Sequence, residues 1–417
     1  MAAETKQSTA LTSPGYFLPF VIVTALFFIF GFITNLNMSL VPHLKAVFTL
    51  GFGWAMLVES AFFLAYFVFS SPTSKLIETI GYKRTMVVSL FIQVVGCLLF
   101  IPAAKLVSFP LFLTAIFVVG AGVTALQTSA NPYVSILGPE GSSSIRLNLA
   151  QAFNSIGGTA APFVAGAYIL NDLGPNATQM QVADTVRVPY ILIAAALLLL
   201  GLALAFMHLP HIAQTQEFRP GKEGDPILSR SIWSYKHTVL GALGIFFYVG
   251  VEVGLASIAV NYFLSQGIST AKTASFLVSL YWGGALVGRL LGAGIMTRVK
   301  AGKLLGIFGL TAAILIAVSM FTSGTVAIAT LVLCGFFNSV MFPNIFTLGI
   351  AGLGPMTSKG SGLIMSAVVG GAIIPPLIGK LADHVGIQYS FVIPVICYLY
   401  IAYYGMWGSK PTRTVTA

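Results

Sequence analysis

Long apolar stretches separated by short polar connections make up most of this sequence. A helix that crosses a membrane needs about 20 consecutive, mostly apolar residues, and roughly a dozen stretches of this chain meet that requirement. The pattern therefore predicts an all-α polytopic membrane protein with twelve transmembrane helices. These helices are expected at residues 17–40, 53–74, 84–104, 107–137, 147–170, 187–208, 237–265, 273–297, 303–321, 324–352, 359–379 and 387–408.

One long polar connection divides the predicted helices into two sets of six. Residues 209–236 contain three prolines, two glycines and most of the clustered charge, a composition typical of a loop. The predicted organisation is therefore two helical bundles joined by this loop and flanked by short tails. In chain order the parts are a tail at 1–16, a bundle at 17–208, the loop at 209–236, a bundle at 237–408 and a tail at 409–417.

An internal repeat relates the two predicted bundles. The segment 157–166 has the glycine and proline pattern of the segment 370–379, at an offset of 213 residues. The same offset relates two pairs of polar residues, Arg146 with Lys359 and Asn131 with Asn344. Repeats that span half of a polytopic chain are typical of transporters in which two halves move about a central site. The repeat therefore favours a transporter with two pseudo-symmetric halves.

Charge is scarce and unevenly distributed. Only 8% of the 417 residues are charged, where soluble domains have about 25%, and the mean hydropathy is +0.93. Sixteen of the 21 Lys and Arg residues fall on the side of the predicted membrane that holds both termini. Because cytoplasmic loops collect Lys and Arg, both termini are predicted to be cytoplasmic. This bias also explains the net charge of +10, and no basic run predicts a nucleic-acid partner. The chain is predicted to be a monomer surrounded by membrane lipid.

Amide side chains recur inside the predicted helices, where each needs a partner or a ligand because unpaired polar groups are costly in hydrocarbon. Asn148, Gln151 and Asn154 recur at i, i+3 and i+6 and so share one helix face. Amides both donate and accept hydrogen bonds, which suits a neutral sugar, although ties between helices are the alternative role. The candidates for substrate binding are Asn35, Gln127, Asn131, Gln151, Asn154, Asn261, Asn338 and Asn344, with Trp282 as a flat surface for the sugar ring.

Charged side chains form two further groups of candidates. Glu59 and Glu252 lie within predicted helices 2 and 7, and an ionisable residue inside a membrane is by default a functional candidate. They are the predicted cation-coupling residues, with a structural hydrogen bond to a neighbour such as Tyr248 as the alternative. Charges in and near the cytoplasmic turns are predicted to form inter-helix pairs that favour one gate state, or else only anchors. The gating candidates are Glu78, Lys83, Arg84, Arg146, Arg289 and Lys359.

Six motifs are distinctive, namely Gly31–Asn37, Leu126–Tyr133, Leu137–Glu140, Arg146–Ser155, Tyr248–Val253 and Pro343–Gly349. Together they resemble the fucose permease and bacterial glucose/galactose transporter family of the major facilitator superfamily, over almost the whole chain. The resemblance implies the major facilitator fold, a bacterial inner-membrane location and import of a hexose coupled to protons or another cation such as sodium. It also implies that Asn35, Gln127, Gln151 and Asn154 line the sugar cavity in the first half.

Two departures from the family pattern leave open whether sugar transport is coupled to a cation. Met38 stands where the fucose permease has an acid, and Gln127 stands where it has a glutamate. A facilitative sugar uniporter is therefore an alternative to a cation-coupled importer, and the Phe-rich apolar helices also permit drug efflux. A sugar sensor is disfavoured by the short tails. No nucleophile–base or metal-ligand spacing occurs, so the sequence predicts neither an enzyme nor any cofactor or metal beyond the coupling ion.

Overall fold

The computed structural model describes residues 11–49, 52–169, 178–207, 209 and 230–411, and every regular element in these ranges is a helix. The long helices are numbered here in chain order. They are α1 (Phe17–Phe48), α2 (52–80), α3 (82–105), α4 (Phe109–Ile136), α5 (Ser143–Val164), α6 (Arg187–Phe206), α7 (Lys236–Ser265), α8 (Ala271–Ile295), α9 (Ala301–Phe321), α10 (Gly324–Ile350), α11 (Gly354–Val385) and α12 (Tyr389–Gly408).

Gly81 divides the longest helical segment into α2 and α3. That segment, Phe52–Lys105, has 54 residues and would be about 80 Å long at 1.5 Å per residue. The hydrocarbon core of a bilayer is only about 30 Å thick. Gly81 has φ +81° and ψ +168°, a conformation that is accessible to glycine and strained for residues with a side chain. The chain therefore turns at Gly81 and crosses the membrane twice.

The described residues contain ten segments that are long and apolar enough to cross a membrane. One of these is Val58–Lys105, which Gly81 divides into two helices. A further helix, α5, falls outside the ten because Asn148, Gln151 and Asn154 make it less apolar. Counting both sides of Gly81 and adding α5 gives twelve helices, in agreement with the predicted fold class.

Several predicted helix ends are wrong. The sequence placed residues 75–83 in a turn, whereas these residues are helical on both sides of Gly81. The first helix extends to Phe48 instead of residue 40, and the tenth is interrupted by a turn at 339–340. Apolar stretches mark the part of a helix that lies in hydrocarbon, but the backbone hydrogen bonds of a helix continue into polar sequence. The termini and loop at 1–10, 210–229 and 412–417 lie outside the described residues.

The internal repeat corresponds to two equivalent helix contacts. Gly157 on α5 packs directly against the backbone carbonyl of Phe28 on α1. In the second half, Gly370 on α11 packs in the same way against the carbonyl of Phe246 on α7. A Cβ atom at either glycine would overlap that carbonyl oxygen. Small residues at helix contacts allow this close approach in membranes, and both glycines have the repeat offset of 213 residues.

Candidate functional site

A cavity of about 570 Å³ lies between the two halves of the protein. Four of its wall residues are amides from the first half, namely Asn35, Gln127, Gln151 and Asn154. The wall of the second half contributes Glu252, Ser279, Trp282, Arg289 and Phe342, among others. A volume of this size is within the range of small-molecule sites. The cavity brings together seven of the residues that the sequence analysis proposed: the four amides, Trp282, Glu252 and Arg289.

The close contact between α1 and α5 positions two of the cavity amides. Asn35 Nδ2 donates to the carbonyl of Gly31 at 2.9 Å, and Asn154 Nδ2 donates to the carbonyl of Phe27 at 3.4 Å. Gly158 leaves room for the Asn35 amide, since a Cβ atom there would lie 2.6 Å from Asn35 Nδ2. Each amide is therefore held by a hydrogen bond to the backbone of α1.

The third cavity amide, Gln127, is held by a different neighbour. Its Nε2 donates to Tyr66 Oη at 2.7 Å, which joins α4 to α2 within the first half. Both side chains are buried, and both line the cavity. Because Tyr66 accepts this bond, its own hydroxyl proton is free to donate to another acceptor. The pair therefore offers a donor and an acceptor to a polar ligand.

One face of α5 forms a continuous polar strip along the cavity. Gln151, Asn154, Ser155 and Thr159 all line the wall, and Gly158 lies between them. Their spacing of three and four residues places them on the same side of the helix. The sequence analysis identified the two amides but not Ser155 and Thr159, which follow Gln151 at i+4 and i+8.

Aromatic rings cover much of the remaining wall. Trp282, the predicted flat surface, lies on the wall with its ring edge-on to the buried Tyr281 at a centroid distance of 5.4 Å. The sequence analysis did not select the other aromatic wall residues, because each belongs to an apolar helix stretch that looks like ordinary core. They are Phe30, Phe63, Tyr66, Phe163 and Phe342.

Glu252 and Arg289 bring opposite charges to the cavity from α7 and α8. Tyr248 Oη donates to Glu252 Oε1 at 2.7 Å, as the sequence analysis considered. Arg289 lies within electrostatic range of Glu252. Its guanidinium also reaches across to the first half, where Nη1 donates to the carbonyl of Gln151 at 3.1 Å and to Ser155 Oγ. Arg289 therefore joins the second half to the polar strip of the first half.

Four proposed substrate residues do not line this cavity. Asn131 is buried on α4, where its Nδ2 lies 3.5 Å from Met365 Sδ of the second half. Asn338 donates to Tyr281 Oη at 2.6 Å within the second half. Asn344 accepts a hydrogen bond from Asn148 at 2.9 Å, and Asn261 is exposed near the end of α7. For these amides the structure favours ties between helices or an exposed position over a place at the cavity.

The remaining charged candidates also lie outside the cavity wall. Glu59 is half-buried on α2 and is absent from the lining residues. Glu78 accepts a hydrogen bond from Ser358 Oγ of the second half at 2.9 Å, and Lys83 donates to the carbonyl of Ala205 at 2.8 Å. Arg84 is exposed, and Lys359 is half-buried on α11. Their gating roles remain predictions, and Glu78 has a contact between the halves that suits such a role.

Arg146 is held entirely by acceptors of the first half. Its buried guanidinium donates to five backbone carbonyls and to the hydroxyl of Ser142. The carbonyls are those of Leu11, Val134, Ser135, Gly138 and Pro139. A cation at the carboxyl end of a helix satisfies its free carbonyls and interacts favourably with its dipole. Among the described residues, these contacts place Arg146 at the end of α4 rather than between the halves.

Neither half offers a metal site within the described residues, because no group of three His, Cys, Asp or Glu side chains comes together there. Cys97, Cys334 and Cys397 are buried as free thiols. The chemistry of the cavity is therefore hydrogen bonding, aromatic contact and one pair of opposite charges. Such a wall can bind a neutral polar molecule of small size.

Comparison with known proteins identifies the family. The model described as Major Facilitator Superfamily matches residues 22–368. The chain belongs to the major facilitator superfamily, a family of transporters. This member is 46% identical over 394 residues to the glucose/galactose transporter of Brucella abortus, a match that covers 93% of each chain. It is 33% identical over 419 residues to the L-fucose-proton symporter of Escherichia coli, covering 95% of this chain and 94% of that protein.

Solved structures agree with the family. The fucose:proton symporter of Escherichia coli, whose structure was solved in an outward conformation, matches with a TM-score of 0.83 and 31% identity. That match covers 95% of this chain and 99% of the other. A proton:xylose symporter matches with a TM-score of 0.72 at 15% identity, which shows a shared fold. The resemblance inferred from the six motifs is thus confirmed.

Proposed function

We propose that this major facilitator protein imports a hexose by alternating access, with the proton as coupling ion. The observation that carries the proposal is the cavity between the halves, with its four uncharged amides and its aromatic wall. A hexose has several hydroxyl groups that donate and accept, and amides match both roles. Relatives named glucose/galactose transporter and L-fucose-proton symporter support a sugar as the ligand of this cavity.

The proposed sugar site has a polar side and an aromatic side. Asn35, Gln127, Gln151 and Asn154 supply hydrogen bonds from the first half. Trp282 and Phe342 face them from the second half and supply apolar surface for the carbon faces of the sugar ring. A lipophilic drug would displace water from these amides without offering them hydrogen bonds, which is costly. The wall therefore favours a sugar over drug efflux.

The proposed coupling group is Glu252. Its carboxylate is on the cavity wall, accepts a hydrogen bond from Tyr248 and lies near Arg289. A proton on Glu252 removes the negative charge near Arg289, so protonation changes the electrostatic interaction between α7 and α8. The relative named L-fucose-proton symporter supports the proton over sodium. Glu59 has no place on the wall and is the weaker candidate.

The proposed orientation of the described state rests on the charge bias and on the position of the cavity. Sixteen of the 21 Lys and Arg residues favour cytoplasmic termini. The cavity extends along α5 from Gln151 to Phe163, away from the end that begins at Ser143. In the proposed orientation this is the outer half of the membrane. The described state would therefore face outward, like the solved fucose:proton symporter.

A facilitative uniporter is the second candidate function, and two wall residues favour it. Met38 and Gln127 both line the cavity, and neither can exchange a proton. If Glu252 served only as a structural partner of Tyr248, sugar would equilibrate without accumulating. The two candidates differ in a measurable way, because only coupled transport concentrates sugar against its gradient.

The test is uptake of labelled glucose, galactose and fucose into liposomes that contain the purified protein. We expect one hexose to accumulate above its outside concentration when an inward proton gradient is imposed, and a protonophore to abolish the accumulation. Equilibration without accumulation would replace symport by uniport. Accumulation driven only by sodium would overturn the choice of the proton, and failure of all three sugars to enter would contradict hexose transport.

A further inference from the structure

Two pairs of polar side chains join the halves beyond the inner end of the cavity. Asn148 Nδ2 of α5 donates to Asn344 Oδ1 of α10 at 2.9 Å. One turn earlier on α5, Ser144 Oγ lies 2.6 Å from Thr347 Oγ1 of α10. All four side chains are buried. These two pairs, called the inter-half pairs below, therefore hold α5 against α10 without any charged group.

The inter-half pairs continue the line of the cavity. Asn148 precedes Gln151 by three residues and Asn154 by six, so the three amides share one face of α5. The latter two line the cavity, whereas Asn148 lies at the next position along the same face and is covered by α10. A sugar that moves along this face toward the Ser143 end of α5 meets Asn148 and Asn344 next.

The chemistry of the inter-half pairs matches that of a sugar. Asn148 Oδ1 is buried without a hydrogen-bond partner among the described residues, and buried acceptors normally have one. If the halves separate at this end, Asn344 Oδ1 loses its donor. Both amide oxygens then need a donor, while the two Nδ2 groups keep their bonds to the carbonyls of Ser144 and Ala301. Sugar hydroxyls can serve both amides, because each hydroxyl donates and accepts. An ion pair would not be replaced so easily by a neutral ligand.

We propose that the inter-half pairs close the sugar path at this end, and that Asn148 and Asn344 bind the sugar during release once the halves separate. The sugar contact rests on the proposed function, while the closure rests on the contacts alone. The two parts therefore have separate readouts below. A failure of sugar transport would leave the test of closure intact.

The test of closure uses a cysteine reporter on the cavity wall. Thr159 is exposed there, so a Thr159→Cys variant should react with a maleimide in the described state. The three natural cysteines are buried, and the protein without the reporter gives the background. Labelling of purified protein in detergent makes the result independent of membrane orientation.

Asn344→Ala should lower the labelling rate of the reporter, because the described state loses a contact that the opposite state does not have. We expect the ratio of the two states to shift by roughly tenfold. Asn338→Ala is the matched control, since Asn338 is a buried amide of the same helix whose hydrogen bond, to Tyr281, stays within its own half. Equal labelling rates in Asn344→Ala and Asn338→Ala would contradict the proposal that the inter-half pairs close this end.

A double variant tests whether the two amides act as one pair. Asn148→Ala should shift labelling as Asn344→Ala does, and the double variant should shift it no further than either single change. Residues in direct contact show such non-additivity, whereas independent sites add. Additive shifts would mean that each amide acts through its own half, and would contradict the pair.

Loss of the sugar contact and loss of closure change the half-saturating sugar concentration in opposite directions. Loss of closure alone would lower the half-saturating sugar concentration on the release side, because more protein faces that side. Loss of a sugar contact would raise it. In everted membrane vesicles, whose release side faces the medium, we expect the half-saturating concentration of the Asn148→Ala/Asn344→Ala variant to lie roughly tenfold above that of Ser144→Ala/Thr347→Ala, which loses the other inter-half pair and keeps both amides. A value equal to or below that of Ser144→Ala/Thr347→Ala would remove both amides from the release path.

Discussion

Asn154 and Asn261 show how much the role of one residue type depends on its surroundings. Both are amides within long apolar helices, and both were candidates for sugar binding. Asn154 lies on the cavity wall with one hydrogen bond to the backbone of α1. Asn261 is exposed near the end of α7 and outside the cavity. The position of each on its helix, and not its chemistry, separates them.

Asn154→Ala should weaken sugar binding by at least about tenfold, because it removes a donor and an acceptor from a ligand that has left water. Binding can be followed by calorimetry on the purified protein, with thermal unfolding as a check that the variant is folded. Asn261→Ala is the control and should bind within about twofold of the unchanged protein. An unaltered affinity in Asn154→Ala would exclude this residue from the sugar site.

Glu252→Gln should abolish gradient-driven accumulation and preserve counterflow exchange. Glutamine keeps the size of the side chain and an acceptor for Tyr248, but it cannot carry a proton. Uptake into liposomes with and without a proton gradient separates the two activities. Glu59→Gln, a carboxylate change away from the wall, should accumulate sugar normally. Normal accumulation in Glu252→Gln would assign the coupling to another group.

Residue type alone predicts which side chains are polar candidates, but it does not predict which of them line the cavity. Gln127 and Asn131 are four residues apart on α4 and share a face. Gln127 reaches the cavity beside Tyr66, while Asn131 is covered by Met365 of the second half. The difference arises because Met365 of the second half packs against α4 at Asn131. That contact depends on the arrangement of both halves, which no local pattern contains.

At the scale of helices, two glycines carry equivalent contacts. Gly157→Ala and Gly370→Ala should each destabilise the protein by about 1–3 kcal/mol, because a Cβ atom meets a backbone carbonyl that cannot move away. Thermal unfolding of the purified variants measures the effect. The same repeat offset supplies the controls, since Gly166 and Gly379 have open space where a Cβ would lie. Equal unfolding temperatures for Gly157→Ala and Gly166→Ala would contradict the close approach.

The sequence predicted the existence of the helices better than their ends and breaks. Apolar stretches identified all twelve, including α5, whose amides reduce its hydropathy. The turn at Gly81 was expected as a polar loop of several residues, whereas one glycine with positive φ is enough. The turn at 339–340 within α10 was missed, because its neighbours on both sides are apolar. Hydropathy indicates which residues lie in the hydrocarbon core of the membrane, but it does not indicate where the backbone of a helix turns or breaks.

For the whole molecule, the repeat predicted two related halves but not the state that they adopt. The inter-half pairs lie at the Ser144 end of α5, and the cavity lies toward Phe163. A transporter must populate both this state and one with the opposite opening. Both states arise from one sequence, so the sequence pattern cannot tell which of them a structure will show. The inter-half pairs could be identified only once one state was seen.

The central claim is that the cavity binds a hexose. It is tested most directly by thermal unfolding of the purified protein with a panel of monosaccharides, at two pH values and with or without sodium. A ligand that binds only the folded protein raises its unfolding temperature. We predict that one hexose does so selectively, that pH alters the effect, and that sodium does not. Absence of stabilisation by every sugar in the panel would contradict the account.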